Sequence, residues 1–238
     1  MTPNHSFRLY FLFNLLLMQL IIIFCSIIYS DALAANSHKN TDPISLYGQE
    51  IYFKVFRNGN HVGEHQVRFS LGENGQLIVI TNMSIVIKVF GLTIYTFIYK
   101  SESEWLNGKL YNLDSVYKEG RSSNKVSVTL DNNTLYVNGP DGVVNGSENL
   151  LPTNHWNARV LSQNQVINTL NGNISNVSIK NVGREYIVAQ GKSVEAERYE
   201  YTGDITASLW YDDEGRWLKM SFVKDKSVID YVCVICGK

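Results

Sequence analysis

The chain has 238 residues, with 21 Lys and Arg against 22 Asp and Glu and a formal net charge of −1. Near-balanced charge with no basic stripe gives nucleic-acid binding no electrostatic support. Apolar residues make up 45% of the chain and there are 14 Tyr, ample for a core and suited to half-buried sheet faces.

Residues 1–34 read as an export signal. Phe7 to Ser30 is almost wholly apolar, with Arg8 as its positive flank. The run is about 20 residues, long enough to cross a bilayer as a helix. Ala32 and Ala34 are small residues two apart, which places cleavage after Ala34. An uncleaved anchor is the alternative, and it would be the chain's only membrane contact. Cys25 follows Phe24 rather than a small residue, which argues against lipidation there. The expected destination is extracytoplasmic, most simply the periplasm. Residues 35–46 are polar, contain Pro43 and show no periodicity, so they read as a linker. Residues 47–238 read as a single β domain.

From Gln49 onward, short runs rich in Val, Ile, Tyr, Phe and Thr alternate with turn residues. Strands are expected around Ile51–Phe56 and His65–Phe69, with Asn58-Gly59 and Asn74-Gly75 as turns. Gln76 to Trp105 is too long for one strand, and Gly91 divides it into two joined at Phe90-Gly91-Leu92. Further strands are expected at Leu110–Tyr117, Lys125–Leu130 and Thr134–Val137, with Asp131-Asn132-Asn133 as the turn between the last two. Asn157 is placed to cap a short helix beginning at Ala158. Seven more strands follow, near Val166–Leu170, Ser175–Val182, Glu185–Ala189, Val194–Tyr201, Ala207–Tyr211, Trp217–Val223 and Val228–Val234, with Gly183 as the turn between the second and third. Turns every 8–12 residues or so indicate a sandwich or barrel. Hairpin-length links favour an all-β, antiparallel meander that curls as twist accumulates, into a large curved sheet or partly open barrel with one short helix. A two-sheet β-sandwich is the alternative.

Cys233 and Cys236 form Cys-Val-Ile-Cys near the C-terminus. Export would permit a disulfide. Residues three apart on a continuous strand point to opposite faces, so bonding them requires a turn there. Two ordinary thiols, or metal or redox chemistry, are the alternatives.

In its motifs the mature chain resembles a bacterial family of exported β proteins, domain of unknown function 6134. The matching marks are Gly59-Asn60-His61-Val62-Gly63, Gly91-Leu92-Thr93-Ile94-Tyr95, Trp105, Pro152-Thr153-Asn154-His155-Trp156-Asn157 and the run from Leu209-Trp210-Tyr211 to Arg216-Trp217-Leu218. The resemblance implies an extracytoplasmic β fold. It implies no established activity and transfers no catalytic residue.

The candidate catalytic residues are His155 and Asn157, because imidazole titrates near neutral pH and an amide can orient it. The simpler reading is structural, with Asn157 satisfying backbone groups and Trp156 plugging one end of the sheet. His61 and His65 are four apart, but on a strand they stand about 13 Å from each other, too far to chelate one ion. They read as half-exposed strand histidines, and no metal site is expected. Glu102 with Glu104, and Glu195 with Glu197, read as surface charge rather than paired catalytic acids. Phe90 and Leu92 would form an apolar hairpin tip, a membrane or partner contact if exposed; the simpler reading is that the hairpin folds over a core, or that Gly91 is an internal bulge. No pattern asks for a cofactor.

Three functions fit. The first is a binding or carrier module for an apolar, lipid-like ligand, whose concave face would be lined by Tyr95, Phe97, Tyr99, Trp105, Trp156, Trp210 and Trp217. The second is an envelope scaffold or interaction protein. The third, ranked last, is a hydrolase-type enzyme centred on His155. A cavity lined by apolar side chains would separate the first from the others.

Overall fold

A computed structural model of the chain describes residues 42–237. The expected signal segment and its cleavage site lie outside the described residues. Among the described residues, no helix is long and apolar enough to cross a membrane.

The first element corrects the reading of residues 35–46 as linker throughout. Pro43–Tyr47 is a short helix, α1. Asp42 caps it, its carboxylate accepting from the amides of Ile44 and Ser45 at 3.1 and 3.2 Å. Pro43 occupies the first turn, where its missing N–H costs nothing. The helix is docked by Tyr47, which is buried. The Tyr47 hydroxyl donates to the Trp156 carbonyl at 3.0 Å and accepts from the Trp217 amide at 2.8 Å. A proline in a polar stretch reads as a linker; the burial of Tyr47 makes it an anchored start instead.

Fifteen strands follow, in one sheet. The outgoing strands are β1 (Glu50–Arg57), β2 (Asn60–Leu71), β3 (Leu77–Val89), β4 (Leu92–Leu106), β5 (Lys109–Glu119), β6 (Ser122–Asp131), β7 (Thr134–Gly139) and β8 (Gly142–Ser147). The returning strands are β9 (Leu151–Pro152), β10 (Gln165–Ile167), β11 (Ile174–Ala189), β12 (Lys192–Gly203), β13 (Ala207–Tyr211), β14 (Trp217–Lys224) and β15 (Ser227–Ile235). A 3-10 helix, Ala158–Ser162, interrupts the return, with the Asn157 side chain accepting from the Arg159 amide at its start.

Local turn chemistry explains the hairpins. Asn58-Gly59, Asn107-Gly108, Asn132-Asn133 and Gln190-Gly191 each have both central residues at positive φ. That is the two-residue turn whose twist matches paired strands.

The order of strands explains the shape. The sheet runs β8 to β1, then β15 to β9, so the first and last strands pair at its middle. Its two edges, β8 and β9, are joined by residues 148–150 alone. Laid flat, fifteen strands at about 4.8 Å spacing would be some 67 Å wide. Three linking residues span at most about 14 Å. The sheet must therefore roll until its edges face each other. The β7–β8 tip then meets the loop before β11: a Cβ on Gly139 would lie 2.4 Å from the Asn171 carbonyl oxygen. The result is a partly open barrel; the two-sheet sandwich is not adopted.

Bulges decide which residues face inward. On β2, Val55 pairs with Gly63 and Phe56 with His61, leaving Val62 as an extra residue. This reverses the facing of the strand, so His61 is exposed while His65 points inward. On β15, Phe53 pairs with Cys233 and Tyr52 with Ile235, leaving Val234 extra. The same reversal turns Cys236 to the face of Cys233. The two are buried, have Cα atoms 6.1 Å apart and are joined as a disulfide. On β11, Val182 is extra, and the strand that Gly183 was expected to end continues through it.

Candidate functional site

The roll encloses a cavity of about 400 Å³. Its wall comes from the inward faces of β2, β3 and β4 on one side and β14 and β15 on the other. Met83, Ile85, Phe97, Met220, Phe222 and Ile229 supply much of the apolar surface. The floor is the segment before the 3-10 helix, where Asn154, His155 and Trp156 meet Trp217. That segment is pinned from several directions. Tyr211 donates its hydroxyl to the His155 carbonyl at 2.9 Å, and Thr153 donates its amide to the Ile167 carbonyl at 3.0 Å. Below the floor, the Trp156 ring packs edge-on against Trp105 and Phe69, with centroids 5.2 and 5.4 Å away.

The cavity opens at the opposite end, beside Arg57, Lys224 and Asp225. Lys224 reaches across this mouth from β14 to β5, donating to Glu119 at 2.7 Å. The Tyr95 hydroxyl donates to the same carboxylate at 2.7 Å. These bonds, from Lys224 first and Tyr95 second, hold the Glu119 carboxyl below its ordinary range.

Two histidines flank Trp217 at the floor. The rings of His65 and His155 lie 5.5 and 5.4 Å from its ring, both edge-on. Both residues line the cavity, and protein surrounds them otherwise. Burial pushes the His155 pKa down to about 4. Burial first, and the neighbouring His155 second, push His65 down to about 3. Both imidazoles are therefore neutral at physiological pH. The Nδ1 atoms of both, and Nδ2 of Asn154, have no hydrogen-bond partner among the described residues. His155 thus lacks the acid or amide that would orient a general base.

The expected lining residues divide. Tyr95, Phe97, Tyr99, Trp156 and Trp217 face the cavity. Trp105 does not line it; it lies beneath the floor, donating its Nε1–H to Ser103 at 2.9 Å. Trp210 points the other way, since Leu209 and Tyr211 take the inward positions. On the outer face it donates to Glu185 at 2.6 Å and lies under Lys219 and Arg198. Asn157, a catalytic candidate, instead caps the 3-10 helix. His65 was expected to be a half-exposed strand histidine; it is partly exposed, but toward the cavity, for the reason the Val62 bulge supplies. Glu195 and Glu197 share a strand face with Tyr199, whose hydroxyl donates to Glu197, and stand around the half-exposed Arg184 as surface charge. Phe90 and Leu92 are exposed at a hairpin tip. Among the described residues, no cluster of His, Cys, Asp or Glu has the arrangement to hold a metal ion.

A family model described as Domain of unknown function (DUF6134) matches residues 53–234. Among solved structures, the chain is similar to a beta-barrel-like protein of domain of unknown function DUF1849 from Brucella abortus. The TM-score is 0.55 at 8% identity, over 81% of this chain and 98% of that one. At that identity the likeness concerns the fold alone. No curated protein sequence matches.

Proposed function

The chain belongs to the DUF6134 family, and from the cavity within its rolled sheet we propose that it is an extracytoplasmic binding or carrier protein for an apolar, lipid-like ligand. The observation that carries this reading is the cavity: about 400 Å³, walled by aliphatic and aromatic side chains, within the range of small-molecule sites. A small barrel filled by its own side chains would leave no such space. The polar groups sit at the two ends, neutral at the floor and charged at the mouth. That distribution suits a molecule with a long apolar body. The Cys233–Cys236 disulfide and the apolar N-terminal segment support work outside the cytoplasm, released there by cleavage after Ala34.

The test is uptake of N-phenyl-1-naphthylamine, a neutral probe that fluoresces when taken out of water. Saturable binding is expected, and Ile87→Trp should weaken it at least about tenfold by filling the wall near the mouth. Binding that is unsaturable, or indifferent to that substitution, would count against the cavity as the site.

A further inference from the structure

The β3–β4 ribbon outruns its neighbours. Pairing with β2 stops at Ile85, opposite Gly63, and pairing with β5 stops at Phe97, opposite Glu119. Beyond those rungs the ribbon continues as an arm to its turn at Phe90-Gly91. Five residues from Ile85 to Phe90 give it a reach of roughly 16 Å. A lone two-stranded ribbon has little stability of its own. This one carries apolar residues where the other tips are polar: Phe90 is 101% exposed, Leu92 72% and Ile94 61%.

Phe90 is also strained. It takes φ 49 and Gly91 φ 80, a turn whose first position favours Asn, Asp or Gly. Asn58, Asn107, Asn132 and Asp225 hold the equivalent place at other tips. A fully exposed aromatic in the left-handed region stabilises nothing in the folded domain.

The arm stands at the cavity mouth. Ile87 and Tyr95 at its base line the cavity. The tips around it are basic. Arg57 ends β1, Lys88 lies on the arm, Lys118 and Arg121 flank the β5–β6 turn, and Lys224 and Lys226 flank the β14–β15 turn. Against these stand Glu119 and Asp225. The acidic Asp141 and Asp204 belong to links on either side of this arc, not within it. Positive charge thus gathers around the apolar arm in a chain whose net charge is −1.

We propose that this arm docks the protein on an anionic lipid surface, with Phe90 and Leu92 inserted at the boundary of headgroups and acyl chains. Lys88, Arg121 and Lys226 then face the headgroups. The geometry is that of shallow interfacial insertion backed by basic residues. Docked so, the mouth opens at the bilayer, where an apolar ligand can pass without crossing water. The proposal rests on the carrier reading for its purpose but not for its test. A protein partner adding a strand on the β4 side is disfavoured, because the extra residue Ile94 breaks that edge of the arm by a bulge.

The test uses the full chain carrying Phe90→Trp. The native tryptophans are all buried, so the new indole reports the tip. Vesicles of phosphatidylglycerol and phosphatidylcholine should shift its emission to the blue, and brominated acyl chains should quench it. Vesicles of phosphatidylcholine alone should do so at least about tenfold less effectively. A silent tip, which is what attachment by the N-terminal segment alone would give, overturns the proposal. So does an equal response to both vesicles, or a shift that grows with protein concentration without lipid. Leu92→Trp should respond as Phe90→Trp does. Adding Phe90→Asn, a residue suited to the turn, should cut that response at least about tenfold; an undiminished response overturns the proposal. Probe uptake by the cavity, measured on the same samples, fails only if the carrier reading fails.

Discussion

His65 and His155 are the two groups whose chemistry the fold alters most clearly. Each is held neutral by burial at the cavity floor, with a pKa of about 3 and about 4 against 6.5 for a free imidazole. The unfolded chain takes up a proton on each below about pH 6.5, and the folded domain does not. Stability is therefore intact above that pH and falls as acid is added, until the folded-state values are reached. At pH 5 each histidine costs about 2 kcal/mol, from one and a half units at about 1.36 kcal/mol each. Urea unfolding at pH 7.5 and pH 5 should show this loss, and His65→Leu should remove about half of the histidine share. A pH dependence unchanged by that substitution would contradict the burial of His65. His155 was legible in sequence as a distinctive residue because it stands in a dense polar and aromatic run. His65 was not, because its facing depends on the single extra residue at Val62, and alternation along a strand cannot reveal a bulge. Trp210 misleads for a related reason. An aromatic residue in a strand reads as lining, yet cations on the outer face cover its ring as well as a core would.

Among the elements, the hairpins were legible because the turn residues name themselves. Asn58-Gly59 and Asp131-Asn132-Asn133 permit tight reversal and little else. Phe90-Gly91 was readable through Gly91 alone. The short β8 was missed, since Gly142–Ser147 contains two glycines and pairs only along the edge of the sheet. Gly183 suggested a turn in β11 because a bulge and a turn call for the same residue. Helix α1 was hidden for want of periodicity in five residues. One contact that closes the roll brings the end of β7, at Gly139, against the loop at Asn171. Nothing larger than hydrogen fits at Gly139 without moving the Asn171 carbonyl. Gly139→Ala should therefore cost about 1–3 kcal/mol. It should also raise the rate of limited proteolysis between Asn168 and Asn173, as the edges of the sheet part. Unchanged melting and cleavage would show that the tip and loop do not hold the roll.

At the scale of the molecule, curling was legible from the hairpin links and the inevitable twist of many strands. The pairing of β1 with β15, and the crossing from β8 to β9 by three residues, were not. Both are contacts between residues far apart in the chain, which no local pattern encodes. They are also what makes the sheet a container rather than a plate. A wall of Met83, Ile85, Phe97 and Met220 around open space is a costly arrangement unless something fills it, because side chains facing a void lose their packing partners. The most direct measurement is native mass spectrometry of the protein purified without harsh detergent or organic solvent. The expected result is a fraction of molecules carrying one additional apolar compound, released on denaturation, and reduced in Ile87→Trp. A protein that never carries such a mass, and that takes up no apolar compound offered to it, would contradict the carrier reading.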